Sequence, residues 1–457
     1  MLSDDFSLVN VGLPLIVQAV PEDRVYDLKW MPPAFADANA ASMVSRLDNE
    51  VTRQANQKAI DLVHSVRPSL VRILPAREAI AELQSKTLLH SGPPIAVEKM
   101  CGPMIGGLVG AALFERWAKT PEQARELLNN GDINIMPCHE VGAVGPMAGI
   151  ISPSMPVFEV TDGKRKAFSN LNEGLGKVLR FGAYDRSVID RLVWMRDYLG
   201  PTLDAALQDH GPIDTTSLFV QALTMGDECH NRNIAATSLF TRRLAPSISK
   251  QKTAQEVLEF LANNDHFALN LSMAAAKLCL DAANGVADST LVTAMARNGV
   301  EFGLRVAGAA EKWFTAPVEP ADGLFFPGYS REDANPDLGD SAITESLGLG
   351  GFSMAASPAI TQFIGGTPED AQRITIEMTH ITMSRHPVFQ IPQLNFAGIP
   401  SGIDLIKVAR SNVLPVINTG IAHKEAGVGQ IGAGIVRAPR QVFLQGICYL
   451  AKKRGIA

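Results

Sequence analysis

Nine residues, Met225 to Asn233, concentrate more chemical variety than any other stretch of the chain. The run MGDECHNRN sets two carboxylates (Asp227, Glu228), a thiol (Cys229), an imidazole (His230), two amides (Asn231, Asn233) and a guanidinium (Arg232) side by side. The apolar runs SLFVQALT before it and AATSLFTRRLA after it are patterned as helices, which draws these groups into or beside a core. There each needs a partner or a ligand, because an unpaired buried polar group costs roughly 1–3 kcal/mol. His230 is the first choice for a general acid or base, with Asp227 or Glu228 to orient its ring. Arg232 can clamp an anion, and Asn231 and Asn233 can donate to a carbonyl or an oxyanion. A second knot, NNDHFALN from Asn263 to Asn270, brings His266 as the next acid–base candidate. Two such knots among apolar helices read as the wall of an active site. For each residue taken alone the plainer reading is structural: a satisfied core histidine, a capping asparagine, a surface arginine.

Other stretches add candidates. His139 follows Cys138 in a Gly/Pro-rich connection, Pro137 to Val160, and the two offer a nucleophile–base pair or ligands. Adjacent residues rarely face one site, so a structural turn is the competing reading. In LNEGLGKVLRFG, Lys177 and Arg180 are three apart and share a helix face as anion clamps, while Glu173 can simply pair with Lys177. Arg297 is a further clamp and Asn298 a further donor. At Cys101–Gly102–Pro103 a helix start offers bare N–H groups to an anion, or a Gly-rich helix packs closely on a neighbour. Gly427, Gly429 and Gly432 match G-x-G-x-x-G, but Ala422 to Ala426 before them is not a strand and no acid follows, so a dinucleotide site is rejected. An anion nest of loop amides around Gly429 and Gln430 remains. Asp333 to Glu345 carries four acids in a pattern like a metal loop, though the EF-hand register is not met. A solvated turn capping the next helix is favoured over a divalent-metal site.

The elements that must position these groups fall into an α+β multidomain order. Residues 1–90 read as a small α/β, Rossmann-like unit: strands at Leu8–Val20 (turning at Gly12) and Arg24–Trp30, a Pro32–Pro33 stop, one helix over Asp37–Val66, a strand at Ser69–Leu74 and a helix at Ala76–Gln84. Residues 171–284 read as a mostly helical domain holding both knots. Residues 91–170 and 285–457 read as mixed α+β and form the main body. Within them a helix runs from Pro103 to Lys119, another opens at Thr120–Pro121, and a third at Thr367–Pro368. The chain is expected to end in a strand, LPVINTGIAHKEAGVGQIGAG.

Composition narrows the class. A length of 457 residues favours two to four domains, and 46% hydrophobic content is ample for their cores. A net charge of -6 argues against nucleic acid as partner. No uncharged apolar stretch reaches membrane-spanning length, and five unclustered cysteines fit a reducing compartment. A cytoplasmic protein is expected. No CxxC or HExxH presets a zinc site.

Many runs together carry a resemblance: MCGPM, HEVGAVGPMAG, SPSMPVF, LNEGLGKVLRFGAY, MGDECHNRN, NDHFALNLSMA, TAMARNG, WFTAP, ANPDLGDSAITE and NTGIAHKEAGVGQIGAG, with NVGL and KWMPP near the start. They resemble the bacterial family that includes YlbE (also called AllG) and YahG, long classed as a domain of unknown function, over nearly the whole chain. The resemblance implies an α+β multidomain protein found beside FdrA-like proteins. It also implies carbamoyl transfer between a ureido acid such as oxalurate and phosphate, as oxamate carbamoyltransferase in allantoin breakdown. No cofactor is required for that reaction, and a homo-oligomer is expected. A non-catalytic metabolite-binding or assembly subunit is the alternative, or a hydrolase or lyase on a related ureido or cyclic amide. The S-x-R-T-R run of aspartate and ornithine carbamoyltransferases is missing, and HPVFQ at His386 is one residue longer than their HPxQ. Carbamoyl phosphate would therefore meet a different site here.

Overall fold

The computed structural model describes residues 8–11, 25–28 and 38–456. The architecture is mixed α+β, with several small sheets and with helices interspersed among their strands along the chain. Leu8–Val11 and Val25–Leu28 pair in parallel. The expected extension to Val20, the Gly12 turn and the Pro32–Pro33 stop lie outside the described residues.

The helix expected over Asp37–Val66 is two, Ala38–Leu47 and Glu50–Ser65. Asn49 breaks it, because its side chain accepts from Thr52 N and caps the second. The strand Ser69–Pro75 forms as expected, but the helix after it stops at Ala79, where Ile80 turns extended. A 3-10 turn covers Ala81–Gln84. Pro103 opens the helix Gly102–Phe114 behind Cys101. That helix ends short of Lys119, since Arg116 takes a left-handed φ of 59°. Its start is covered: a Cβ on Gly102 would lie 2.2 Å from Lys424 O, and one on Gly106 2.2 Å from Gly182 O. The glycines thus serve close packing. Thr120 and Thr367 cap Pro121–Asn129 and Pro368–Met378, the latter through a full capping box with Asp370.

Lys177 and Arg180 share no helix face. Gly174 and Gly176 stand at φ 98° and 84°, and the stretch Leu179–Phe181 is a 3-10 turn. Nor does the chain end in a strand. Val416–Ala422 and Gln430–Arg437 form an antiparallel pair, and the helix Arg440–Lys453 follows.

A five-stranded sheet runs in the order Ala143–Val144, Lys166–Asn170, Pro156–Thr161, Ser69–Pro75, Ile213–Asp214. The helix Phe267–Asp281 lies against it and against the short helix Ile343–Leu347. Every residue from Phe267 to Leu280 is buried, so this helix is enclosed on all sides. That explains its all-round apolar sequence and the polar groups gathered at its N-terminus. Beyond it, Phe314–Pro317, Glu301–Val306, Val292–Asn298 and Leu338–Gly339 make a four-stranded sheet. Among the described residues no helix is long and apolar enough to cross a membrane.

Candidate functional site

The turn after helix Thr215–Thr224 folds around its own carboxylates. Glu228 accepts from the backbone N–H of His230 (2.6 Å) and of Arg232 (2.7 Å). Asp227 Oδ2 accepts from Ala236 N at 2.8 Å and so caps the helix Ile234–Ile248. Burial raises Asp227 to about 6 and Glu228 to about 7. Asn233 donates to His230 O, and Cys229 takes a left-handed φ of 65°. These acids shape the turn. They do not orient the histidine.

Glu345 does. His230 Nδ1 lies 2.7 Å from Glu345 Oε1, both side chains buried. The same Oε1 accepts from Gly351 N and Asn418 N, and Oε2 from Thr344 Oγ1. A carboxylate surrounded by donors keeps only acceptor capacity, so Nδ1 of His230 carries the proton and Nε2 is the free nitrogen. A Cβ on Gly350 would stand 2.1 Å from Glu345 Oε1, so glycine alone fits there.

The second knot is a ladder of amides. Asn172 Nδ2 donates to Asn270 Oδ1, Asn270 Nδ2 to Asn170 O, and Asn264 Nδ2 to Asn172 O. They fasten residues 170–173 to the head of the buried helix. Glu173 then accepts from Leu179 N (2.6 Å) and Arg180 N (3.3 Å), not from Lys177. Arg180 is buried; its Nη2 donates to Gly174 O at 2.6 Å, and its Nε has no partner. Burial pulls this guanidinium down to about 10, against the pull of Glu173. His266 caps the helix by position, and among the described residues neither of its ring nitrogens has a hydrogen-bond partner. Burial first, then the charges of Arg180 and His230, lower it to about 3, so its ring is neutral.

These parts meet in a cavity of about 30 Å³. His230, Asn231, His266, Arg180, Ser341 and Gln430 line it, with apolar walls from Leu175, Phe181 and Leu269. Both polar knots and the start of the glycine-loop strand therefore reach one space.

The other candidates sit elsewhere. Arg232 Nε lies 3.6 Å from Asp227 Oδ1, on the turn's partly exposed side. Lys177 pairs with Asp185 at 2.6 Å on the surface. Arg297 is fully buried and its donors are spent on Asp337, Gly339 O and Thr419. Asn298 caps its own hairpin, accepting from Val300 N and Glu301 N. His139 is buried with Nε2 3.4 Å from Asp340, and burial raises the Cys138 thiol well above its ordinary value. Gly429 packs against Gly176, and the amides of Gly427 and Gln430 donate to Gly182 O and Gly176 O, so the nest is already filled by backbone. His386 accepts from Val388 N and Phe389 N in an apolar setting.

The acidic run Asp333–Glu345 is not a solvated turn. Asp337, Asp340 and Glu345 are buried and part company: Asp337 to Arg297, Asp340 to Gly92 N and Gly145 N, Glu345 to His230. Asp333 alone keeps the exposed capping role. Among the described residues no three His, Cys, Asp or Glu side chains gather as metal ligands.

Sequence reasoning missed Glu345 as the partner of His230, and Ser341 and Phe181 as walls. The signal for Glu345 is the glycine-rich stretch Gly348, Gly350, Gly351 that begins three residues after it, of which Gly350 leaves room for the carboxylate.

Comparison with known proteins places the chain. Residues 133–341 match the family described as "Oxamate carbamoyltransferase subunit AllG". That span holds His230, His266, Arg180 and Ser341, and stops short of Glu345 and Gln430. The Escherichia coli (strain K12) protein of that same name is 50% identical over 88% of this chain and 98% of its own length. The protein from that organism named "Uncharacterized protein YahG" is 44% identical over 100% of this chain and 99% of its own. A crystal structure of a conserved protein of unknown function from Enterococcus faecalis V583 superposes with a TM-score of 0.86. It is 47% identical and covers 88% of this chain and 98% of that one. Identity of this order across nearly the full length of each relative means that the chain belongs to the AllG family.

Proposed function

We propose that the chain is a carbamoyltransferase subunit whose own cavity moves a carbamoyl group between an N-carbamoyl (ureido) acid, such as oxalurate, and phosphate. The observation that carries this reading is the meeting of three groups in one cavity: His230 oriented by Glu345, His266, and Arg180 with an unspent N–H. The relative named as an oxamate carbamoyltransferase subunit supplies the substrate class.

In the phosphorolytic direction a phosphate oxygen attacks the carbamoyl carbon and a tetrahedral oxyanion forms. It collapses with cleavage of the bond to the oxamate nitrogen. The phosphate's proton passes to that nitrogen, leaving carbamoyl phosphate and oxamate. His230 carries this proton through Nε2, the nitrogen that Glu345 leaves free. Arg180 holds the anionic end, and Asn231 and Ser341 donate to the oxyanion. His266, neutral at working pH, adds a second ring nitrogen without adding charge.

The cavity as it stands has room for no more than a water or two. A ureido acid enters when Leu175, poised between Gly174 and Gly176, moves aside. Leu175 also lines an outer groove of about 620 Å³, which makes it the partition between groove and cavity. The small volume favours one second reading, in which this chain serves assembly while an FdrA-like partner subunit does the chemistry. The test is His230→Ala in the folded, assembled protein, assayed with oxalurate and phosphate. A loss of about 10²–10⁴-fold in turnover is expected. Unchanged turnover would hand the chemistry to the partner.

A further inference from the structure

We infer that Gln430 reads the carbamoyl amino group: its unspent Oε1 accepts an N–H from the terminal NH2 of the ureido acid. The inference rests on the carbamoyl-transfer reading and assigns that site its specificity-determining residue.

Gln430 opens the strand Gln430–Arg437, where the loop after Ala422 returns to the sheet. Its Nε2 donates to Gly432 O at 3.1 Å. A carbonyl can only accept, so this bond fixes which end of the amide is nitrogen and leaves the oxygen at the other end. That Oε1 is buried and has no hydrogen-bond partner, while Gln430 lines the cavity. Gly420 on the neighbouring strand gives room to the Phe181 ring: a Cβ there would stand 3.3 Å from Phe181 Cζ and would meet Gln430 Nε2 only at an ordinary 3.6 Å.

Across the same cavity Arg180 Nε is also buried and unpartnered. The two orphans ask for opposite things. Arg180 needs an acceptor, best an anionic oxygen; Gln430 needs a donor. A ligand with an amino group at one end and a carboxylate or phosphate at the other satisfies both. Oxalurate and carbamoyl phosphate have that form. Their acetyl counterparts present a methyl group to Gln430 and leave it unpaired.

The experiment is isothermal titration of the full-length protein with oxalurate and with N-acetyloxamate, which differ only in NH2 against CH3. Wild type is expected to bind oxalurate about 100-fold tighter or more, as sites built around a substrate N–H do. Gln430→Met should shrink that preference to about tenfold or less, mainly by weakening oxalurate. A wild type that does not distinguish the two ligands overturns the assignment, and that comparison needs no variant. So does a preference that Gln430→Met, or Gln430→Leu if the first melts early, leaves intact. Failure of both ligands to bind wild type is a different result: it removes the carbamoyl reading itself, and the Gln430 assignment with it.

Discussion

A histidine whose Nδ1 is held by a buried carboxylate has one nitrogen left for proton transfer, and its identity is decided by that carboxylate. Glu345→Gln keeps the volume but offers an amide that can lock the ring in the opposite tautomer. Turnover is expected to fall by roughly 10²-fold or more with a much smaller change in KM, read by steady-state kinetics. Because Glu345 also accepts from Gly351 N and Asn418 N, the melting temperature should fall as well. Full activity in a folded Glu345→Gln protein would remove the pair from the mechanism. His266 makes a separate prediction. Its folded value, about 3, is below the ordinary 6.5. Below pH 6.5 the unfolded chain therefore takes up a proton that the folded one refuses. Its contribution to stability is intact above that point and is lost as pH falls toward 3. Histidine-ring nitrogen spectra at pH 5.5 should show His266 uncharged. His266→Gln should lose less melting temperature than wild type between pH 7 and 4.5. An imidazolium signal at pH 5.5 would contradict the burial argument.

Elements bring these residues together by fitting backbone against side chain, and here sequence is partly legible. The two knots were readable because polar groups inside apolar helical patterning must be satisfied, and His230, His266, Arg180 and Gln430 do reach one cavity. The capped helices at Thr120 and Thr367 were readable for the same local reason. What was not readable is pairing at long range. Glu228 is two residues from His230 and Glu345 is 115 away, yet the distant acid takes the ring because the near one is wrapped by its own turn's N–H groups. The Lys177–Arg180 spacing suggested a helix face, but Gly174 and Gly176 at positive φ remove the helix and send the two side chains apart. Two substitutions test this scale. Gly350→Ala forces a methyl to 2.1 Å from Glu345 Oε1 at a φ of 58°, and should cost about 1–3 kcal/mol in urea unfolding together with activity. Asn270→Ala strands the amides of Asn170 and Asn172 and should cost about 2 kcal/mol or more by the same measurement. Near-neutral values would mean that water replaces both.

At the scale of the whole molecule two helices nearly 400 residues apart in sequence share a core. The helix Ala38–Leu47 packs on the helix Arg440–Lys453. Val44 and Leu47 belong to the same buried cluster as Phe443, Ile447 and Phe352. The larger cluster runs from Ala59 through the helix Phe267–Asp281 to Ala422, directly behind the cavity. Neither cluster is contributed by one continuous segment, so neither can close before distant parts of the chain have met. Loss of either helix should therefore reach the site, even though neither is among the described residues that line the cavity. Leu47→Asp places a carboxylate where the side chain is 1% exposed. Burying it should cost several kcal/mol, unless the protein gives up the contact. Scanning calorimetry should show the main transition moved down as one event, with oxalurate binding lost at the same temperature. A small early step followed by an unmoved main transition would show that these helices melt alone and that the cavity stands without them.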